Sequence, residues 1–175
     1  MSNIDWSALT KIIEEIKSCE KHGLHSAAMT MSFVCIDLLS SLNRPIDKDG
    51  VTRADYEKWV DTYLKAHKNQ SYKYRGKDVY AACCAYLHTY GSEANRHKKD
   101  QDTLMFGYHD GGKHMIDSTN EERLVLISMS SFVNDLVCAV AAFLETCQAD
   151  RALRARVESR LSKVLSKVPV SQNKM

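Results

Sequence analysis

The feature that most constrains the fold is one long apolar stretch, residues 121–147. Large apolar side chains recur there at spacings of three and four, which is the period of an α-helix. They are Val125, Met129, Phe132, Leu136, Val140, Phe143 and Cys147. Further apolar residues widen this stripe towards burial on most sides. The pattern predicts a helix over Glu121–Cys147 at the centre of a helical core, begun by Asn120 or Thr119.

Five further segments have the same period, and most have recognisable start and stop signals. They predict helices over residues 4–22, 24–43, 52–66, 79–90 and 150–168. Gly23, Pro45 and Gly91 follow the first, second and fourth of these helices. Thr52 with Asp55 three residues later is close to a capping box, and Asp78 is the predicted cap of the fourth helix.

Residues 103–117 change to an alternating pattern with glycines at its centre, which predicts a β-hairpin. A turn at Gly111-Gly112 would pair His109 with His114, whereas a turn at Asp110-Gly111 would not. The predicted fold is therefore mainly α: a single-domain bundle of about six helices over residues 1–168, with this hairpin inserted near 103–117. Residues 169–175 are expected to form a flexible tail.

Composition is that of an ordinary soluble protein, with 44% hydrophobic and 26% charged residues and a net charge of +2. The N-terminus lacks a secretory pattern, and no window of about 18 residues is free of polar side chains. Six cysteines lie mostly within helical patterns, which favours a reducing cytoplasm over a disulfide framework. No membrane association is expected. The chain contains no nucleotide-binding or HExxH motif, so no cofactor is predicted.

The segment 79–88 is the strongest candidate for chemistry. Cys84 and His88 are four residues apart, which places both side chains on one helical face. One interpretation is a tightly packed core helix with a satisfied histidine. The alternatives are a metal site built on Cys84 and His88 or a nucleophilic Cys–His pair.

Residues 67–77 combine basic and aromatic side chains without an acidic one, as an RNA backbone with stackable bases requires. The candidate phosphate contacts are Lys73, Arg75 and Lys77 in this segment and Arg96 after the next helix. The alternative is a solvated loop in which Tyr72 and Tyr74 pack against the domain.

The pattern Asp78–Thr89, with Cys83, Cys84 and His88, resembles the helix-borne Arg-x4-6-His motif of HEPN domains. The stretch Thr52–Leu64 is similar to the helix that precedes the motif in bacterial relatives, and the resemblance covers about residues 25–145. HEPN domains are all-helical, and many are dimeric ribonucleases that work without a metal.

The resemblance implies a role in RNA or partner binding of a bacterial defence or toxin–antitoxin kind, as a homodimer. It makes His88 the general acid or base of an RNA cleavage. Cys83 stands where the arginine is expected, so weakened or lost nuclease activity is predicted. Arg75 is a candidate to supply the missing charge, and a buried Asp135 is a candidate to orient His88.

Two readings outside this family stay open, and the first is a non-catalytic helical oligomerisation or adaptor protein. The last helix has an apolar seam, Leu153, Val157, Leu161, Val164 and Val168, beside a basic stripe, Arg156, Arg160, Lys163 and Lys167. This arrangement suits packing on the bundle, oligomerisation or an anionic lipid surface. The other reading is a metal or small-molecule site that uses Cys84, His88, His109 or His114.

Overall fold

A computed structural model describes residues 5–116, 123–161 and 163–164. Seven helices and three strands follow one another in the described residues. The helices are α1 (Ser7–Lys21), α2 (His25–Asn43), α3 (Arg53–Tyr63), α4 (Gly76–Thr89), α5 (Asn95–Lys99), α6 (Met129–Ala149) and α7 (Arg151–Leu161). The strands are β1 (Met105–His109), β2 (Met115–Ile116) and β3 (Leu124–Ser128). The fold is mainly α with a small β element, as predicted.

The small sheet differs from the predicted hairpin. Its strand order is β1-β3-β2: β3 lies between the other two, parallel to β1 and antiparallel to β2. The prediction that β1 and β2 pair with each other is therefore wrong, and His109 does not face His114 across a turn. The aliphatic stretch Leu124–Ser128 supplies the strand that both neighbours need to satisfy their backbone groups.

The long central helix, α6, begins later than predicted. Residues 124–128 form β3, and α6 starts at Met129 after Ser128, whose hydroxyl accepts a hydrogen bond from the Ser131 amide. The predicted caps Thr119 and Asn120 lie outside the described residues. From Phe132 onwards the predicted stripe is confirmed, and Phe132, Leu136 and Phe143 are fully buried.

Helices α2 and α6 form the centre of the core. The ring of Phe33 on α2 lies 5.6 Å from that of Phe132 on α6 and 5.7 Å from that of Tyr86 on α4. By length and composition alone, α2 and α6 could each cross a membrane, and about half of each apolar window (50% and 44%) is buried within the protein. The core helices of soluble proteins meet the same criteria.

Helices α3 and α4 approach each other closely at Gly76. A Cβ atom at this position would lie 2.4 Å from the Glu57 carbonyl oxygen, so the contact requires a glycine. The Gly76 amide donates to the Asp61 carboxylate. Arg75 occupies the N-cap position of α4, and Asp78 lies inside the first turn. The prediction that Asp78 caps this helix is therefore wrong by one turn.

The last helix packs against its own chain. Leu153, Val157 and Leu161 are buried, and α7 contacts α2 and α6. Most of the predicted apolar seam is therefore buried within the monomer, so little of it is exposed for oligomerisation. Helix α7 ends at Leu161, earlier than predicted, and the predicted positions Lys167 and Val168 lie outside the described residues, as does the domain boundary at 168.

Candidate functional site

His88 is exposed at the C-terminal end of α4 and lines a surface cavity of about 570 Å³. Cys84, one turn earlier, lines the same cavity, as the spacing of four predicted. The opposite wall comes from Glu93, Asn95 and Lys98. The cavity therefore combines an imidazole, a thiol, an ammonium group and amide and carboxylate groups that solvent can reach.

Two aromatic rings pack together at the C-terminal end of α4. Helix α4 ends at Tyr90, which has a left-handed backbone with a φ of 54°. The Tyr90 ring is 67% exposed, and its centroid lies 5.1 Å from that of Tyr86, which is buried. An exposed ring anchored on a buried one is a surface on which a base can stack.

Short helix α5 is fixed in place by buried polar contacts. The Nδ1 atom of His97 accepts a hydrogen bond from the Ala94 amide (2.9 Å), so its Nε2 carries the proton and donates to the Leu104 carbonyl (3.1 Å). Arg123 donates to the carbonyls of Gln101 (2.7 Å) and His97 (3.3 Å). These bonds tie α5 to the segments that precede β1 and β3.

Cys83 does not share the cavity with His88. It is buried where α4 packs on α3, and burial raises the pKa of its thiol to about 12, in spite of the neighbouring Tyr56 hydroxyl, which lowers it. Five residues turn a helix through about 500°, so residues 83 and 88 face different directions. Cys83 therefore faces α3, and it does not line the cavity of His88.

Arg75 and Lys77 are engaged in a cluster of charges at the other end of α4. The Arg75 guanidinium donates to both carboxylate oxygens of Asp78 (2.6 and 3.0 Å) and to Asp102. The ammonium of Lys77 pairs with Asp102 and lies 3.8 Å from Asp100. Two cations thus face three carboxylates. Arg75 lies about 20 Å from His88 along the helix, too far to replace the missing charge.

Lys73 lies in the loop before α4 and is exposed. Its ammonium donates to the carbonyls of His67 (2.9 Å) and Lys68 (3.3 Å). Tyr72 and Tyr74 are buried, so the loop matches the alternative in which its tyrosines pack against the domain. Of Arg96, the structure places the backbone in α5, beside the His88 cavity.

A buried polar network lies on the far side of α4. His114 is fully buried and accepts, at Nδ1, a hydrogen bond from the Ser128 amide (3.1 Å). Its Nε2 therefore carries the proton and donates to the Tyr74 hydroxyl (2.6 Å), which donates to Asp135 (3.0 Å). The His114 amide donates to Gln70 (2.7 Å). The network ties the loop before α4 to the sheet and α6.

This network corrects two sequence interpretations. Asp135 contacts Tyr74 and lies 3.9 Å from His114, and it does not contact His88. His114 is a core residue, whereas the prediction treated it as a hairpin-tip residue or metal ligand. The Nδ1 of His109 accepts from the Gly111 amide. Over residues 5–116, 123–161 and 163–164, no three His, Cys, Asp or Glu side chains are grouped as metal ligands.

Sequence reasoning missed Lys98 as a member of the His88 site, because α5 was not predicted as a helix. Comparison of the chain with models of protein families, with curated proteins and with solved structures gave no match.

Proposed function

We propose that the chain is a HEPN-like helical protein that binds single-stranded RNA at the His88 cavity, with ribonuclease activity weakened or lost. One observation carries the proposal: the exposed imidazole of His88 and the ammonium of Lys98 line a single surface cavity. Tyr90, two residues after His88 in the chain, presents an exposed ring at the same end of α4. A cation, an imidazole and an aromatic ring are the groups that bind a phosphate and its neighbouring base.

The chemistry follows from the groups present. Lys98 attracts a phosphate as a point charge, although Glu93, 3.9 Å from its ammonium, offsets part of that charge. His88 is placed to take a proton from a ribose 2′-hydroxyl or to give one to the leaving oxygen. Among the cavity side chains that the structure describes, none is a guanidinium able to clamp the phosphate in two places. Binding with slow or absent cleavage is the expected behaviour.

The predicted contacts Lys73, Arg75 and Lys77 contribute less to this proposal. Arg75 and Lys77 are neutralised by Asp78, Asp100 and Asp102. We include Arg96 in the proposed RNA surface because its backbone lies in α5.

The same proposal includes a cytoplasmic protein of a defence or toxin–antitoxin kind that works as a homodimer. Because the apolar seam of α7 is largely buried in the monomer, the proposed dimer uses another surface. The end of α4, with exposed Leu87 next to His88 in the chain, is the surface we propose.

The test is RNA binding measured by fluorescence anisotropy with a labelled oligouridine over a range of salt concentrations. Affinity is expected to fall with salt, and Lys98→Ala is expected to reduce the slope of log K against log salt by about 0.7. His88→Ala and Tyr90→Ala are expected to weaken binding at low salt by several-fold. Lys11→Ala on α1, an exposed lysine remote from the cavity, is the control for loss of one charge. An RNA affinity that changes neither with salt concentration nor in the cavity variants would overturn the proposal.

Cleavage is measured separately, with RNA and purified protein in EDTA, comparing wild type with His88→Ala. Slow cleavage that disappears in the variant would assign His88 as the acid or base. Binding without cleavage by either protein would identify an RNA-binding scaffold. Cleavage that is equal in both would exclude His88 from the chemistry.

A further inference from the structure

A second concave surface lies on another part of the bundle, where α2 forms a floor between α1 and α7. The groove has a volume of about 700 Å³. Its floor is aliphatic and includes Ile12 on α1, Val34 and Leu38 on α2, and Val164 beyond α7. Val34 is 52% exposed and Ile46, at the rim, is 68% exposed. These large aliphatic side chains are exposed to solvent together, within one groove. They are not isolated apolar residues scattered over the surface.

The rim of the groove is basic. Arg44, Lys48, Arg160 and Lys163 line it, against one carboxylate, Asp49. Lys48 is paired with Asp55, but the two arginines donate to uncharged oxygens. Arg44 contacts the carbonyls of Ser41, Lys48 and Asp49 and the Ser41 hydroxyl.

Arg160 reaches the carbonyls of Leu42 (3.1 Å), Arg44 and Pro45 (2.8 Å). These hydrogen bonds fix the guanidinium beside the end of α2 without neutralising its charge. Its pKa is lowered by burial and by the positive charges of Arg44 and Arg156, which indicates that positive charge is concentrated here. In the part of the chain that the structure describes, neither Arg44 nor Arg160 forms an ion pair.

The residues that line the groove favour some binding partners over others. Its described lining contains no aromatic side chain on which a nucleobase could stack, which argues against RNA. A lipid surface is flat, whereas Leu38 lies on the floor of a concave groove. Residues 165–175 follow Val164 in the sequence, but they contain two lysines and no Asp or Glu, so their charge does not complement the rim.

We propose that the groove between α1, α2 and α7 binds an amphipathic helix of a partner protein, with aliphatic side chains on one face and Asp or Glu along its flanks. The aliphatic face lies on Val34 and Leu38, in the manner of helix-in-groove recognition. The flanking carboxylates meet Arg44, Arg160 and Lys163, for which the described residues provide no acidic partner. This surface is separate from the His88 cavity, so the inference is independent of RNA binding.

The probe is a synthetic fluorescein-labelled peptide of about 18 residues, helical, with leucines along one face and glutamates on both flanks. Anisotropy with the full chain is expected to give saturable binding with a Kd of roughly micromolar order. Val34→Asp places a carboxylate on the floor, and Lys163→Glu reverses the charge of an exposed rim residue. Each is expected to weaken binding at least tenfold, and neither side chain is buried, so both variants should fold. Leu24→Asp, an equally exposed leucine at the start of α2 and away from the groove, is the control and should change binding less than twofold.

Further experiments distinguish this proposal from other ligands of the groove. A peptide with lysine in place of every glutamate should not bind; equal binding of both peptides would overturn the charge argument. No saturation up to about 1 mM peptide would overturn the proposal. Binding of phosphatidylglycerol vesicles or oligouridine that Val34→Asp abolishes, with no peptide binding, would assign the groove to lipid or RNA. Self-association in sedimentation that Val34→Asp abolishes would assign it to a second copy of the chain.

Discussion

One buried carboxylate organises the region between the loop before α4 and the sheet. Asp78 accepts hydrogen bonds from the Tyr72 hydroxyl (2.8 Å), the Arg75 guanidinium and the Leu104 amide (2.9 Å), and it is fully buried. It therefore joins segments that are up to 26 residues apart. In the sequence Asp78 has the position of a helix cap, because spacing cannot reveal partners that come from a later loop.

Replacing Asp78 by alanine is expected to lower the free energy of unfolding by about 3 kcal/mol, because it leaves a buried hydroxyl and an amide without their acceptor and removes the buried partner of the Arg75 guanidinium. The measurement is the urea midpoint by circular dichroism. Asp102→Ala removes an exposed partner of the same arginine and should leave the midpoint unchanged. Equal midpoints for wild type and Asp78→Ala would contradict a structural role for this carboxylate.

At the scale of the element, helices with local start and stop signals were predictable and the sheet was not. Helix α3 begins where Thr52 and Asp55 exchange hydrogen bonds, as the capping-box spacing indicated. Strand β3 was assigned to a helix because its aliphatic residues continue the helical stripe of α6. What makes it a strand is pairing with β1, about 19 residues earlier, and a contact of that range leaves no periodic signal.

The capping box of α3 makes the stability of the protein depend on pH, and the direction of that dependence follows from the pKa of Asp55. Burial raises the pKa of Asp55, but hydrogen bonds from Lys48 and Thr52 outweigh it and lower the pKa from 3.8 to about 2. The ionised carboxylate therefore stabilises the folded protein fully above its unfolded pKa, and this contribution is lost as pH falls from about 4 to about 2.

Asp55→Asn is accordingly expected to be less stable than wild type by about 1 kcal/mol near neutral pH, and the difference should shrink towards pH 2. Urea midpoints of both proteins across that range provide the measurement. A difference that stays constant down to pH 2 would show that the carboxylate charge does not stabilise the cap.

At the scale of the whole molecule, the core was predictable and the arrangement of its polar groups was not. The apolar stripes of α2, α3 and α6 meet as their periodicity implied. Tyr74, His114 and Asp135 meet in a buried network although 40 and 61 residues separate the contacting pairs. The His88 site was likewise only partly predictable. The spacing of four residues indicated that Cys84 lies beside His88, whereas Lys98 joins the site through the packing of α5.

The same packing predicts an order of thiol reactivity. Burial raises the pKa of Cys35 and Cys83 to about 12 and that of Cys147 to about 11, whereas Cys138 is exposed on α6. Ellman's reagent should modify Cys138 first in the folded protein, and Cys35, Cys83 and Cys147 should react after denaturation. Cys138→Ser should remove the fast phase. Rapid labelling of Cys83, identified by mass spectrometry, would instead indicate that α3 and α4 separate readily.

The hydrogen bonds of Arg160 also bear on how the chain is synthesised. They supply donors to carbonyls at the end of α2, 118 residues earlier, and α7 buries its apolar side chains partly on that helix. At translation rates of about 5–20 residues per second, roughly ten seconds pass between the emergence of these two segments from the ribosome. During that interval α2 presents uncovered aliphatic surface, so the nascent chain is expected to be a client of chaperones until its last helix emerges.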